Sequence, residues 1–140
     1  MLAKHPGVTL VETQTANWDE AEALGVVQDW MNKHKAGTLD AIVDQGPEAA
    51  NAAKYAHDKG RTDINFVLGD YPVEVRDGIE DGYVLGSIYS NPYASGFRSV
   101  EAAAQWITGD QDKVTRPNEY LELPIVTATN VADFAPAYGE

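Results

Sequence analysis

Trp18, Gln45, Gly46, Asp70 and Ser90 each follow a short apolar run, where a strand would hand over to a turn or helix. An indole offers a flat apolar platform, and a carboxylate accepts charge-assisted hydrogen bonds from hydroxyls. Amide, hydroxyl and backbone groups add neutral hydrogen bonds. Together they suit a small polar solute with one apolar face, such as a sugar. Each also has an ordinary structural use. Trp18 could pack over a sheet edge, Asp70 could cap the helix after it, and Asn91 reads as a helix cap. Asp44 stands beside Gln45, but alternation sends one of that pair away from any shared site.

Catalytic chemistry is not legible. His5, His34 and His57 lie near the chain start or toward helix ends and are expected to be solvated surface residues. There is no nucleophile-elbow serine, and no glycine pattern for a phosphate or dinucleotide. The chain has no cysteine, which excludes disulfides, zinc-thiolate sites and thiol catalysis. No catalytic residue, metal or cofactor is expected. Asp44 and Asp70 holding a cation, as in a phospho-acceptor or metal-dependent single-lobe domain, is the alternative within this class.

Positioning those residues requires alternating strands and helices. The runs Val8–Gln14, Leu39–Val43, Ile64–Leu68 and Leu85–Tyr89 read as strands. Between the first two, Asn17 is the expected N-cap, with Glu20 three residues on; Leu24, Val27 and Met31 then share a helical face ending near 34–37. Gly46-Pro47 is expected to open a second helix, whose Ala49, Ala52, Ala53 and Ala56 form a small-residue face closed by Gly60. Residues 72–81 suit a short helix with Val75 and Ile79 inward. Asn91-Pro92 starts a longer one through Phe97, Val100, Ala104 and Ile107 to Gly109. Residues 110–119 read as loop, 120–127 as a last strand, and the remainder as irregular tail. Such alternation predicts an α/β fold with a doubly wound, mostly parallel sheet flanked by helices. Ligands in such sheets meet the carboxyl ends of the strands, where the five residues stand.

The 140 residues fit one domain with a real core. The formal charge is −12, from 10 basic and 22 acidic residues. That field repels phosphate backbones and anionic membrane surfaces, so nucleic acid is not expected as a partner. No stretch approaches the roughly 20 apolar residues of a membrane span. Met1 to Gly7 is too short and polar for a signal peptide, so the protein is either cytoplasmic or a piece whose beginning lies elsewhere.

The run TQTANWDEAEALGVVQDWM and the one from LDAIVDQGPEAANAAKYAHDKG through INFVLGDYPVEVRDGIEDG to YVLGSIYSNPYASGFRSVEAAAQWITGD carry a family likeness. Their order and spacing over roughly residues 5–130 resemble the C-terminal part of periplasmic sugar-binding proteins of ABC importers, the ribose-binding type. The resemblance implies a flavodoxin-like lobe of a two-lobe protein whose hinge the chain crosses three times. It matches Trp18 to the stacking aromatic and Asp70 to the ligand-binding aspartate. Ser90 falls where ribose binders use glutamine. Gly46-Pro47 replaces the usual Asn-Asp pair, so Gln45 or the backbone at Gly46 substitutes.

The resemblance further implies a periplasmic location, a sugar or polyol as solute, and an ABC permease as partner. The effector core of a sugar-responsive repressor shares the fold and is the second alternative. The chain reads as a single domain over 1–140, a partial lobe lacking one strand and helix before Val8, with Leu2-Ala3-Lys4 as the tail of that helix. The helix 92–109 and part of 110–140 would pack on the other lobe. The bared sheet edge predicts self-association.

Overall fold

The computed structural model describes residues 4–116 and 118–139; Leu2 and Ala3, read as the tail of a preceding helix, lie outside them. The first helix, α1 (Glu20–Lys33), is capped by Asp19, whose carboxylate accepts the Glu22 N–H at 2.9 Å. The expected cap, Asn17, stands two residues earlier with φ 50°, and its side chain donates to Glu22 instead. Strand β1 (Ala41–Val43), helix α2 (Ala50–Asp58), strand β2 (Asn65–Leu68), helix α3 (Val73–Glu80) and strand β3 (Gly86–Ile88) follow. Helix α4 (Pro92–Thr108) and strand β4 (Ile125–Thr127) complete the order, with single 3₁₀ turns at Gln111–Lys113 and Val131–Asp133.

The sheet runs β1-β2-β3-β4; the first three strands are parallel and β4 is antiparallel to β3. A mostly parallel α/β sheet flanked by helices is therefore what forms. Ile42, Phe66, Leu68, Ser87 and Val126 share its covered face. Against them pack Ala23 and Val27 of α1, the alanine face of α2, and Val75 and Ile79 of α3. Small alanines let α2 sit close to the strands, while burying Phe66 and Leu68 stabilises the fold by about 2–3 kcal/mol each. On the other face Val43, Ile88 and Ile125 remain exposed.

Three expected boundaries move. Val8–Gln14 forms no strand: β1 is the edge of the sheet, and the segment's backbone finds no ladder there. A strand exists only where a neighbour takes its N–H and C=O groups. The segment is instead tied to the end of α1, with Glu12 accepting from Lys33 Nζ at 2.7 Å and lying 2.7 Å from His34 Nε2. His34 is thus a hydrogen-bonded, largely covered residue rather than a solvated one. Helix α2 begins at Ala50, not at Gly46-Pro47, because Gly69 N–H bonds to both the Asp44 and Gly46 carbonyls at 3.1 Å. That clasp holds 44–46 as a turn. The last strand shrinks from 120–127 to Ile125–Thr127 because its partner β3 is only three residues long.

Helix α4 starts on the expected Asn91, whose Oδ1 accepts the Ala94 N–H at 3.0 Å, and ends at Gly109 with φ 91°. It buries no residue. Arg98 holds the returning chain alongside it by pairing with Glu119 and Glu101 and donating to the Lys113 carbonyl. The chain leaves the sheet at Tyr89 and returns at Pro124, and these two points are joined by a 2.8 Å bond from Tyr89 N–H to Pro124 O.

Candidate solute-binding edge

The carboxyl ends of β1, β2 and β3 deliver three turns to one edge of the sheet: Asp44–Gly46, Gly69–Tyr71 and Tyr89–Asn91. The first two are pressed together. A Cβ on Gly69 would lie 1.7 Å from the Gln45 carbonyl oxygen, so only glycine fits there. Asp70 follows with φ 55°, a left-handed backbone that a side chain disfavours. Its carboxylate receives no hydrogen bond among the described residues, and α3 has Pro72 at its N-cap with no side-chain cap. Asp70 therefore does not cap that helix.

Trp18 stands two residues before Glu20, which accepts a 2.8 Å hydrogen bond from Asn51 at the start of α2. That bond brings the opening of α1 to the same edge as the β1 turn. The indole is 67% exposed with φ 61°, and Ala16 rather than Trp18 packs on the core. Packing over a sheet edge is not its use. The turn carrying Asp70 and the opening of α1 after Trp18 thus lie at the same end of the sheet, with the charges of Asp70 and Glu20 both near Glu48. Burial, with the negative charges of Asp44, Asp70 and Glu20, raises the Glu48 carboxyl above its usual range.

The other predicted positions divide. Gln45 is exposed and Ser90 half-buried at the same edge. Gly46 is buried, its carbonyl accepts from Gly69, and the Glu48 carboxylate lies where its Cβ would be. Asp44 is committed to the turn, accepting the Ala49 N–H at 3.1 Å. Asn91 serves as the α4 cap. Among the described residues no three acidic or imidazole groups converge to hold a metal ion. A cavity of about 150 Å³ lined by His57, Arg61, Asn65 and Tyr83 lies at the opposite end of the strands, away from this edge.

Sequence reasoning missed Tyr138, Gly69 and Ser87. The tail returns to the edge through a 2.8 Å bond from Ala137 N–H to Tyr71 O and a bridge between Pro72 and Tyr138. Burial, with the negative charges of Asp70, Glu48 and Glu74, raises the Tyr138 phenol above its usual range. No local signal marks a tail residue that docks so far along the chain. Gly69, immediately before an aspartate at a strand end, carried a readable hint of close backbone approach.

An open, mostly parallel α/β sheet with free polar and aromatic side chains at its carboxyl edge is the architecture of a small-molecule-binding lobe. The sequence profile of the periplasmic binding protein domain matches residues 1–111, and the chain belongs to that family. A xylitol-binding protein of Mycolicibacterium smegmatis is 31% identical over 132 residues, which are 94% of this chain and 37% of that one. Among solved structures, an ABC transporter solute-binding protein from Agrobacterium vitis, bound to α-D-tagatopyranose, superposes with TM-score 0.80 at 24% identity. It covers 94% of this chain and 43% of its own. One from Bacillus halodurans with myo-inositol gives 0.77 at 22%, covering 94% and 45%. The chain thus spans less than half the length of these relatives, all of which are solute-binding proteins.

Proposed function

We propose that this chain supplies one wall of the solute site in the binding component of an ABC importer, and that the solute is a sugar or polyol. The observation that carries the reading is backbone strain. Of the non-glycine residues described, only Asn17, Trp18 and Asp70 hold a left-handed φ, and all three stand at the carboxyl edge. Such conformations cost on the order of 1–3 kcal/mol and concentrate where function requires them. Trp18 stacks on the apolar face of the solute, Asp70 accepts from its hydroxyls, and Gln45 and Ser90 add neutral hydrogen bonds. Gly46 contributes by shaping the turn that carries Gln45.

In this reading a second lobe forms the opposite wall, and closure turns on the adjacent crossings at Tyr89–Asn91 and 123–127. Closure would be sensed by the permease, and the protein works outside the cytoplasm. α4 and 118–123 pack on that second lobe. Where no second lobe is present, Tyr93, Phe97, Val100 and Ile107 on α4, with Val43 and Ile125 on the open sheet face, draw two copies together. Light scattering of the 140-residue chain should give a dimer or larger; a dilute monomer defeats that part.

The test of the site is an NMR titration of the chain with xylitol, myo-inositol and D-allose. At least one should shift the Trp18 indole and Asp70 amide signals together, with weak affinity because one wall acts alone. Trp18→Ala and Asp70→Ala should each weaken that binding by roughly tenfold to a hundredfold, the worth of a stacking or charge-assisted contact. Titrations in which neither signal moves with any of the three would overturn the assignment.

A further inference from the structure

We propose that Ser87 is a positioning residue for the solute wall: from the neighbouring strand its hydroxyl fixes the left-handed turn that presents Asp70. The inference rests on the reading of Asp70 given above and extends it to a residue that no solute would touch. Ser87 is 2% exposed and is the polar member of an otherwise apolar buried set among the described residues. A hydroxyl buried in a core is costly unless it is hydrogen-bonded. It has one proton and two acceptors in reach, the Leu68 carbonyl at 3.0 Å and the Asp70 carbonyl, which is closer.

Leu68 is its ladder partner, so the parallel pairing of β2 with β3 ends at this rung. Two residues later the chain has turned through the left-handed Asp70, and the Asp70 carbonyl points back at β3. With no ladder N–H to meet it, the hydroxyl of Ser87 supplies the donor. On the other side, the Gln45 carbonyl occupies the space of a Gly69 Cβ, and beyond the turn Ala137 N–H holds the Tyr71 carbonyl at 2.8 Å. Gly69, Asp70 and Tyr71 are thus each gripped through the backbone by a different segment. The Asp70 carboxylate accepts no hydrogen bond among the described residues, while the backbone it projects from is held by the Ser87 hydroxyl. Alanine at 87 fills almost the same volume but leaves the Asp70 carbonyl without that donor, so the turn is free to relax toward right-handed φ.

The experiment compares the chain with Ser87→Ala, Ser87→Thr, Asp70→Ala and the Ser87→Ala/Asp70→Ala pair, using amide NMR signals and xylitol titration. Ser87→Ala should move the Asp70 and Tyr71 amide signals, change the φ-dependent coupling at Asp70, and speed hydrogen exchange at Tyr71. Ser87→Thr, which keeps the hydroxyl, should restore them; Ser87→Cys serves if the added methyl disturbs the core. Xylitol affinity should fall about tenfold in Ser87→Ala, the worth of one misplaced hydrogen bond, and fall no further when Asp70→Ala is already present. A residue of merely structural importance would lower the melting temperature yet leave the coupling at Asp70 unchanged, and that result overturns the proposal. Additive affinity losses in the pair overturn it as well. If Asp70→Ala leaves xylitol binding untouched while Ser87→Ala still moves the turn, the solute reading falls and the positioning role stands.

Discussion

Helices α2 and α4 are alike as sequences and opposite as structures. Both carry a small or apolar residue every three or four positions and both end on a left-handed glycine, Gly60 and Gly109. Yet α2 buries Ala50, Ala52, Ala53 and Ala56 against the sheet, whereas α4 buries nothing and leaves Phe97 at 61% and Ile107 at 84% exposed. Amphipathic periodicity thus announces that a face requires cover; it does not say which surface provides it. Helix α2 finds its cover within the strands on either side of it in sequence. The apolar face of α4 finds none among the described residues.

The contrast can be broken most severely in the core. Phe66→Ala should cost about 3–5 kcal/mol in urea denaturation, because the ring is 1% exposed and its removal leaves a cavity. Phe97→Ala should cost less than about 0.5 kcal/mol in the monomeric chain. Equal losses would mean that α4 is packed after all. Next comes Arg61, whose guanidinium donates to the Met31 and His34 carbonyls and pairs with Asp63. Arg61→Ala should cost about 2 kcal/mol by stranding those carbonyls at the end of α1.

A smaller effect is expected at the α4 cap. Asn91→Ala should remove about 1 kcal/mol of helix stability. The loss should appear as faster hydrogen exchange confined to the first turns of α4, with global unfolding unchanged; a matching global loss would couple α4 to the core. The mildest change is with pH. The Arg61 guanidinium and the Gly37 N–H hold the Asp63 carboxyl down from 3.8 to about 2. A lowered folded-state pKa contributes stability that is complete above the unfolded value and is lost as the group protonates. Stability should therefore decline between about pH 4 and pH 2, and Asp63→Asn should flatten that limb of the acid melting curve.

Much of the scaffold was legible because its signals are local. Asn91-Pro92 opens α4, and Gly60, Gly82 and Gly109 close helices with positive φ as expected. The alanine and valine faces of α2 and α3 point inward as their spacing requires. What escaped was set by distant chain. Val8–Gln14 has strand-like residues but no neighbour to pair with. Ile125–Thr127 runs antiparallel because the excursion through α4 reverses the chain. Of the candidate site, Gln45 and Asp70 were singled out by their places after strands that do form, whereas Trp18 was singled out by a strand that does not. Ser87 and Tyr138 were not, since each acts through a partner at least seventeen residues away, and Gly69 showed only a hint of its close approach. Gly46 was read as the opening of α2, but its carbonyl accepts from the Gly69 N–H and holds a turn instead.

The bond between Tyr89 and Pro124 has a consequence for engineering. Everything from Ser90 to Leu123 departs from and rejoins the body through two residues already hydrogen-bonded across an antiparallel rung. Topologically that excursion is a removable handle on a closed frame. Excising it from Asn91 onward, so that Ser90 stays, and bridging the gap with a turn of about two to five residues should leave a minimal lobe with its core and solute edge whole, while disposing of the oily surface that α4 presents to water.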